Sequence, residues 1–227
     1  MTRVRWIEAK WPFSMRTLSS RLKSKEFTAE SSDGFILHRT RDTFIDGKYA
    51  EKVFVDEVVR DPFGNEHVIN RVVFKQVEFT FSADFPQIEL RDFPRGLQSF
   101  TSRLSEATNF TAAFAPIKVD VISWASAIRE RLGSSVIVDG ANVSEFQVEE
   151  GVIAKMRLSS SSHDVLGPLA RFTKGKRHLT EDLRIRTGRE GAKAFHLSGD
   201  ATLRVLNDVS LDSVSLIREA ISRALLP

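Results

Sequence analysis

The chain contains no cysteine. That excludes disulfides, thiolate nucleophiles and cysteine-ligated metal together, and it fits a reducing compartment. Polar-tipped aromatics are scarce as well: one Tyr and three Trp stand against 17 Phe, so most ring area is expected in the core. No stretch approaches the ~18 apolar residues of a membrane-spanning helix. Residues 1 to 6 lack the apolar segment of a secretory leader. A cytoplasmic protein with no membrane association is the expectation. Gly-x-Gly-x-x-Gly, Walker and Gly-x-Ser-x-Gly patterns are also missing, so no phosphate cradle or nucleophile elbow is legible.

Of the 227 residues, 41% are hydrophobic and 28% charged, an ordinary globular balance at a length that buries a core unaided. The segment from Phe79 to Leu104 recurs later in the chain. Phe79, Ser82, Asp84, Leu90, Asp92 and Ser99 meet identical residues at Phe195, Ser198, Asp200, Leu206, Asp208 and Ser215. The helical stripe Leu97, Phe100, Leu104 answers Val214, Ile217, Ile221 after a slip of one residue. This reads as an internal duplication, with a first α+β repeat over residues 1–110 and a second over 111–227.

Local patterns fill in each half. Thr2 to Lys10 alternates as a strand, and Ser14 is placed to cap a helix from Met15 to Ser24. Strands follow at Phe35–Ile45, Tyr49–Arg60, Val68–Ser82 and Pro86–Arg91. Asp46-Gly47 carries a hairpin signal, and Asp61-Pro62-Phe63-Gly64 a type I turn. A helix runs from Asp92 or Pro94 to Ala107. The second half repeats the order. It has a strand at Phe114–Val121, then a helix capped by Asp120 and stopped by Gly133. Strands or parts of one long hairpin lie between Val136 and Leu158. Helical turns at 164–172 are broken at Gly167-Pro168. Strands at His178–Thr187, Ala192–Ser198 and Thr202–Leu206 follow, with a turn at Gly188–Gly191. Ser210 caps a last helix, Leu211–Leu226, whose inward stripe includes Leu225.

The fold class is therefore α+β: two pseudo-repeats of strand, helix, about four antiparallel strands and helix, with one continuous curved antiparallel sheet and helices on one face as the extended form. This order of elements is similar to that of TATA-box-binding-protein-like folds, in which two such halves build one curved sheet. No motif of that family stands in the sequence, so neither function nor residues are carried over. A pair of ferredoxin-like halves is the alternative.

Catalytic groups are hard to find. His38, His67, His163, His178 and His196 stand in no zinc-type spacing. His163-Asp164 is better read with Asp164 as a cap. Asp56, Glu57 and Asp61 are close in sequence, but Asp56 and Glu57 point to opposite faces of a regular strand. No catalytic residue, metal or cofactor is assigned, and an enzyme is the lesser expectation, a hydrolase the form it would take.

Charge is distributed unevenly under a net +3. Residues 1–25 carry Arg3, Arg5, Lys10, Arg16, Arg21, Lys23 and Lys25 against Glu8 alone. A second basic stretch spans residues 171–193. On a strand, Arg184 and Arg186 share one face while Leu183 and Ile185 take the other. The expected role is binding of an anionic partner, nucleic acid above all, through Arg184, Arg186, Lys174, Lys176, Arg177, Arg16, Arg21 and Lys23. The alternative is a protein-interaction or assembly subunit of a larger complex. Oligomeric state is not legible.

Overall fold

The computed structural model describes residues 2–133, 136–187, 193–206 and 211–226. Among them are five α-helices and eleven strands, and every strand pairing given below is antiparallel. The protein is α+β. It divides into two compact units, Glu8–Phe114 (the first unit) and Met1–Ile7 with Ala115–Pro227 (the second). β1, Arg3–Lys10, runs through the division.

In the first unit, Ser14 Oγ accepts the Thr17 amide and starts α1, Met15–Lys23. α1 buries Met15, Leu18 and Leu22 on one stripe. β2 (Asp33–Thr40), β3 (Phe44–Arg60), β4 (Glu66–Ser82) and β5 (Ile88–Arg91) follow as a meander in that spatial order. α2, Gln98–Ala107, closes the unit and buries Phe100 and Leu104. Phe35, Tyr49, Phe79, Phe81 and Phe100 form one ring cluster beneath it. Phe79 and Phe81 stack at 4.2 Å, and Tyr49 meets Phe100 edge-on at 5.7 Å. Asp33 locks α2 to the sheet: it accepts from Arg103 on α2 and from the Tyr49 hydroxyl at 2.9 Å. Burial pushes the Asp33 carboxyl up, but the Arg103 and Tyr49 hydrogen bonds and the Arg103 charge outweigh it and hold it below its ordinary value.

The hairpin expected at Asp46-Gly47 is not there. The chain turns earlier, at Arg41–Thr43, where the Arg41 amide donates to Phe44 O at 2.8 Å. Gly47 lies inside β3, opposite both Leu37 and Phe79. A β-carbon on Gly47 would stand 2.5 Å from Ile36 O and 2.8 Å from the Phe79 ring. The glycine serves a close approach and not a turn. The Asp61–Gly64 turn does form: Asp61 Oδ1 accepts from the amides of Phe63 and Asn65, and Gly64 takes φ +89°. α2 also begins later than expected, because Asp92 takes φ +46° and Phe93 is buried as a plug before the helix.

β6, Ala113–Pro116, crosses the division and is shorter than expected; in the second unit α3, Val121–Leu132, is capped by Asp120 and ended by Gly133 at φ +85°. The strand order is β1-β11-β10-β9-β7-β8, with β7 Ile137–Glu149, β8 Val152–Ser159, β9 Leu179–Thr187, β10 Lys193–Ser198 and β11 Thr202–Val205. Leu183, Ile185, Phe195, Leu197 and Leu203 are fully buried on the face beneath α3. Trp6 and Trp124 pack edge-to-face at 6.0 Å, and Trp124 Nε1 donates to Ile217 O at 3.0 Å. α4, Leu166–Thr173, is not broken at Pro168, which sits in the first turn where its missing N–H is harmless. α5, Leu211–Glu219, stops short of Leu226 and passes through a 3₁₀ turn at Ala220–Arg223. Leu226 donates to Lys118 O and Ala224 O accepts from Asp120, so the tail is drawn out of helical geometry and Leu225 is left exposed. Ile217 and Ile221 are buried, while Leu97 and Val214 are only half-buried. Ser210 and the Gly188–Gly191 turn lie outside the described residues.

Two substitutions test this packing. Phe100→Ala removes a fully buried ring from the aromatic cluster and is expected to cost about 3–5 kcal/mol. Gly47→Ala adds one methyl against backbone and ring and is expected to cost about 1–3 kcal/mol or more, where a solvent-facing hairpin glycine would tolerate it. Denaturant midpoints of the two variants check both.

Candidate functional site

Arg184 and Arg186 share a sheet face, opposite to Leu183 and Ile185, as the alternation requires. Both are committed there. Asp139 on β7 is 1% exposed; Arg184 Nε donates to its Oδ1 at 2.7 Å, and Arg186 Nε lies 2.5 Å from its Oδ2. Arg186 also donates to Ser161 O at 2.7 Å. A carboxylate so deeply buried requires compensating charge, and these two guanidinium groups supply it. Gly140, opposite Arg184 on β7, leaves the space: a β-carbon there would stand 3.2 Å from that of Arg184.

The other expected residues are placed apart. Lys174 follows the end of α4 and is exposed. Lys176 Nζ rests 5.1 Å above the Phe146 ring, and Arg177 lies 3.7 Å from Glu145. These sit before the start of β9, and Arg184 is five residues along that strand, roughly 17 Å at a strand's rise. In the first unit, Arg16 pairs loosely with Asp42 at 3.9 Å. Arg21 donates to Thr108 O and covers the Phe13 ring at 4.3 Å. Lys23 is exposed at the end of α1.

The register reveals a basic row that the charge runs alone did not. Arg3, Arg204, His196 and Arg184 stand directly opposite one another across β1, β11, β10 and β9, on the face away from α3. Arg157 on β8 shares that face, opposite Asn142. Arg204 and Arg157 are exposed and make no ion pair among the described residues. Acids are interspersed: Asp182 accepts both hydrogen bonds of the Asn142 amide, and Asp200 is paired with Arg5. At the rim of this face a cavity of about 510 Å³ is lined by Arg3, Lys118 and Arg204 together with Glu181, Asp182 and Asp200. Three charges of each sign give it no net preference. The signal available in the sequence was Arg204 between Leu203 and Val205, the same alternation that located Arg184.

The most unusual surface lies in the first unit. β3 and β4 pair without interruption from Phe44–Ser82 to Arg60–Glu66. β2 covers β3 only as far as Glu51, and β5 covers β4 only from Glu78. Beyond those points the two strands continue as a ribbon with no strand beside either edge among the described residues. The ribbon is apolar and exposed: Phe54 is 78% exposed, Val68 62%, Val58 55%, Ile69 51%, Phe74 50% and Val72 48%. Phe63 stands at its tip, 91% exposed. Among the described residues the ribbon is anchored at its base, by Phe27 against Phe74 and by Lys52 to Ala29 O. Sequence reading placed these residues on a sheet covered on one face; nothing local in the sequence said that the neighbouring strands would stop early.

Among the described residues no group of three or more His, Asp or Glu side chains could hold a metal ion, and no helix is long and apolar enough to cross a membrane. No family model matches the chain, and no curated protein matches it.

His196 offers a titration test of the basic row. Burial lowers its pKa first of all; Arg184 and Arg204 lower it further, against the opposing pull of Asp182 and Asp139. The folded ring therefore favours the neutral form. Stability from this group is complete above the ordinary histidine value near 6.5 and falls as pH drops through the lowered folded value. The lowered Asp33 loses its contribution only below about 3.8, so the windows separate. Thermal midpoints between pH 5 and 7 are expected to fall with acid in the wild type and to fall less in His196→Gln.

Proposed function

We propose that the chain is a binding protein that docks another polypeptide through the free part of the β3–β4 ribbon. The observation that carries this is the exposure of Phe54, Val58, Phe63, Val68, Ile69, Val72 and Phe74 on one projecting element. Singly scattered surface apolar residues need no explanation, but the cross-strand pairs Phe54–Val72 and Val58–Val68 on one face of the ribbon do, and interaction is the usual one. The two unpaired edges add a row of free backbone donors and acceptors, suited to strand addition. The proposal places the chain as a subunit of an assembly.

An anionic partner, nucleic acid first, is the second reading. Arg204 and Arg157 support it, being exposed without ion pairs on one face of the second unit. Arg184 and Arg186 support it less, since Asp139 occupies them.

The duplication belongs to the same reading. β2-β3-β4-β5 lies between α1 and α2, and β7-β9-β10-β11 between α3 and α5. β8 and α4 are then an insertion between β7 and β9, and Phe79 on β4 answers Phe195 on β10.

A variant in which residues 54–72 are replaced by a two-residue turn separates the readings. Protein docking predicts that it keeps a cooperative thermal transition and loses a stoichiometric partner retained by the tagged wild type. Retention of that partner would refute docking through the ribbon. For the anionic reading, the wild type and Arg204→Ala/Arg157→Ala are titrated with duplex and single-stranded DNA and RNA at two salt concentrations. Removing one phosphate-binding side chain should reduce the salt slope by roughly one unit. Arg184→Ala is the wrong probe, because stripping a buried carboxylate of its partner can itself cost up to about 3–5 kcal/mol.

A further inference from the structure

The ribbon's two outer edges are not equivalent, and the difference points to an occupant. Resting on the docking reading above, we propose that a second copy of this chain pairs antiparallel along the outer edge of β4, about a two-fold axis at Asn70.

A two-fold axis between two antiparallel copies of one strand must be normal to the sheet. It keeps each face on its own side, and it passes through a residue position because opposed residues share a face. Centred on Asn70, the axis sets Asn70 against the partner's Asn70. Val68 meets the partner's Val72, Ile69 the partner's Arg71, His67 the partner's Val73 and Glu66 the partner's Phe74. No like charges are opposed. The two adjacent centres fare worse. An axis at Arg71 opposes two guanidinium groups, and one at Ile69 sets His67 against Arg71. On β3, an axis at Asp56 opposes two carboxylates.

The within-chain register makes the match extend across all four strands. Val58 is opposite Val68, and Phe54 opposite Val72, inside one ribbon. Pairing at Asn70 therefore joins Val58, Val68, the partner's Val72 and the partner's Phe54 into one continuous apolar row, and the two-fold axis generates a second. Between them runs a polar row of Asp56, Asn70, the partner's Asn70 and the partner's Asp56. On the other face Val59, His67, the partner's Val73 and the partner's Val53 line up. All of these Val58, Val68, Val72 and Phe54 side chains are exposed in the single chain. The edge from Glu66 to Phe74 would gain a ladder of main-chain hydrogen bonds, and a two-stranded ribbon would become four-stranded, above the three strands at which a sheet with an apolar face becomes independently stable.

The absence of cysteine gives a clean test. Sedimentation of the wild type is expected to give twice the 25.6 kDa chain mass at micromolar concentration. Asn70→Cys, oxidised mildly, is expected to migrate as a covalent dimer without reductant. Val68→Cys is expected not to, because its own counterpart lies four residues away along the paired strands, roughly 13 Å and beyond disulfide reach. Val72→Lys should weaken dimerisation at least ten-fold. A monomeric wild type, or Val68→Cys cross-linking as readily as Asn70→Cys, overturns the proposal. If the chain is monomeric yet loses a different polypeptide when the ribbon is shortened, only the second-copy inference fails. If shortening the ribbon changes neither mass nor partner, the docking reading fails with it.

Discussion

Two strands of seventeen residues lie beside neighbours of eight and four, and that mismatch governs what the first unit presents to its surroundings. Where β2 and β5 run alongside, β3 and β4 are core strands: Ile45, Tyr49, Val77, Phe79 and Phe81 are buried. Where the neighbours end, the same two strands keep their register but lose both their edge partners and their cover. An isolated two-stranded ribbon is marginal in water. This one continues from a packed sheet and is closed at its tip by the Asp61 side chain, which satisfies the amides of Phe63 and Asn65. Order at both ends leaves the middle as a preformed, unpaired template.

The second unit handles charge by a different constraint. Asp139 is buried at the place where β7 meets β9, and it takes two arginines with it. The basic face is consequently two populations. Arg184 and Arg186 hold a carboxylate in place, whereas Arg204 and Arg157 stay available to solvent. Clustering of charge in sequence does not separate these, since phosphate-binding and carboxylate-clamping arginines alternate along a strand in the same way. What separates them is a partner 45 residues away.

Signals that act within a few residues were legible. Ser14 and Asp120 cap helices, Gly133 ends one, and Asp61–Gly64 turns the chain, each through hydrogen bonds or backbone geometry within a few positions. Alternation placed the buried faces of β1 and β9. The failures came where one residue serves two purposes. Asp46-Gly47 has hairpin chemistry, yet Gly47 is glycine because Phe79 crosses it and Asp46 accepts from Thr80 across the ladder. Leu225 continues a helical stripe, yet backbone pairing of Ala224 and Leu226 with residues 118–120 pulls it away. The ribbon was illegible for a related reason. Its residues have ordinary strand patterning, and exposure depends on how far other strands extend.

That dependence also bears on why so much apolar surface persists in the ribbon. Long, flat, apolar edges are hazards that proteins usually blunt with charge, proline or a bulge. The β3–β4 ladder has no register shift along its full length, and Pro62 stands in the turn rather than on an edge. Four of its charges pair inside the ribbon, Arg60 with Glu66 and Arg71 with Glu57, and so neutralise one another across the ladder, leaving Asp56 and Lys75 as the exposed charges with no ion pair among the described residues. An element that pairs most of its charges internally, keeps its ladder regular and exposes valines and phenylalanines carries few of the usual defences against pairing. Apolar exposure of this extent follows from how early β2 and β5 end, and not from any local departure in strand patterning.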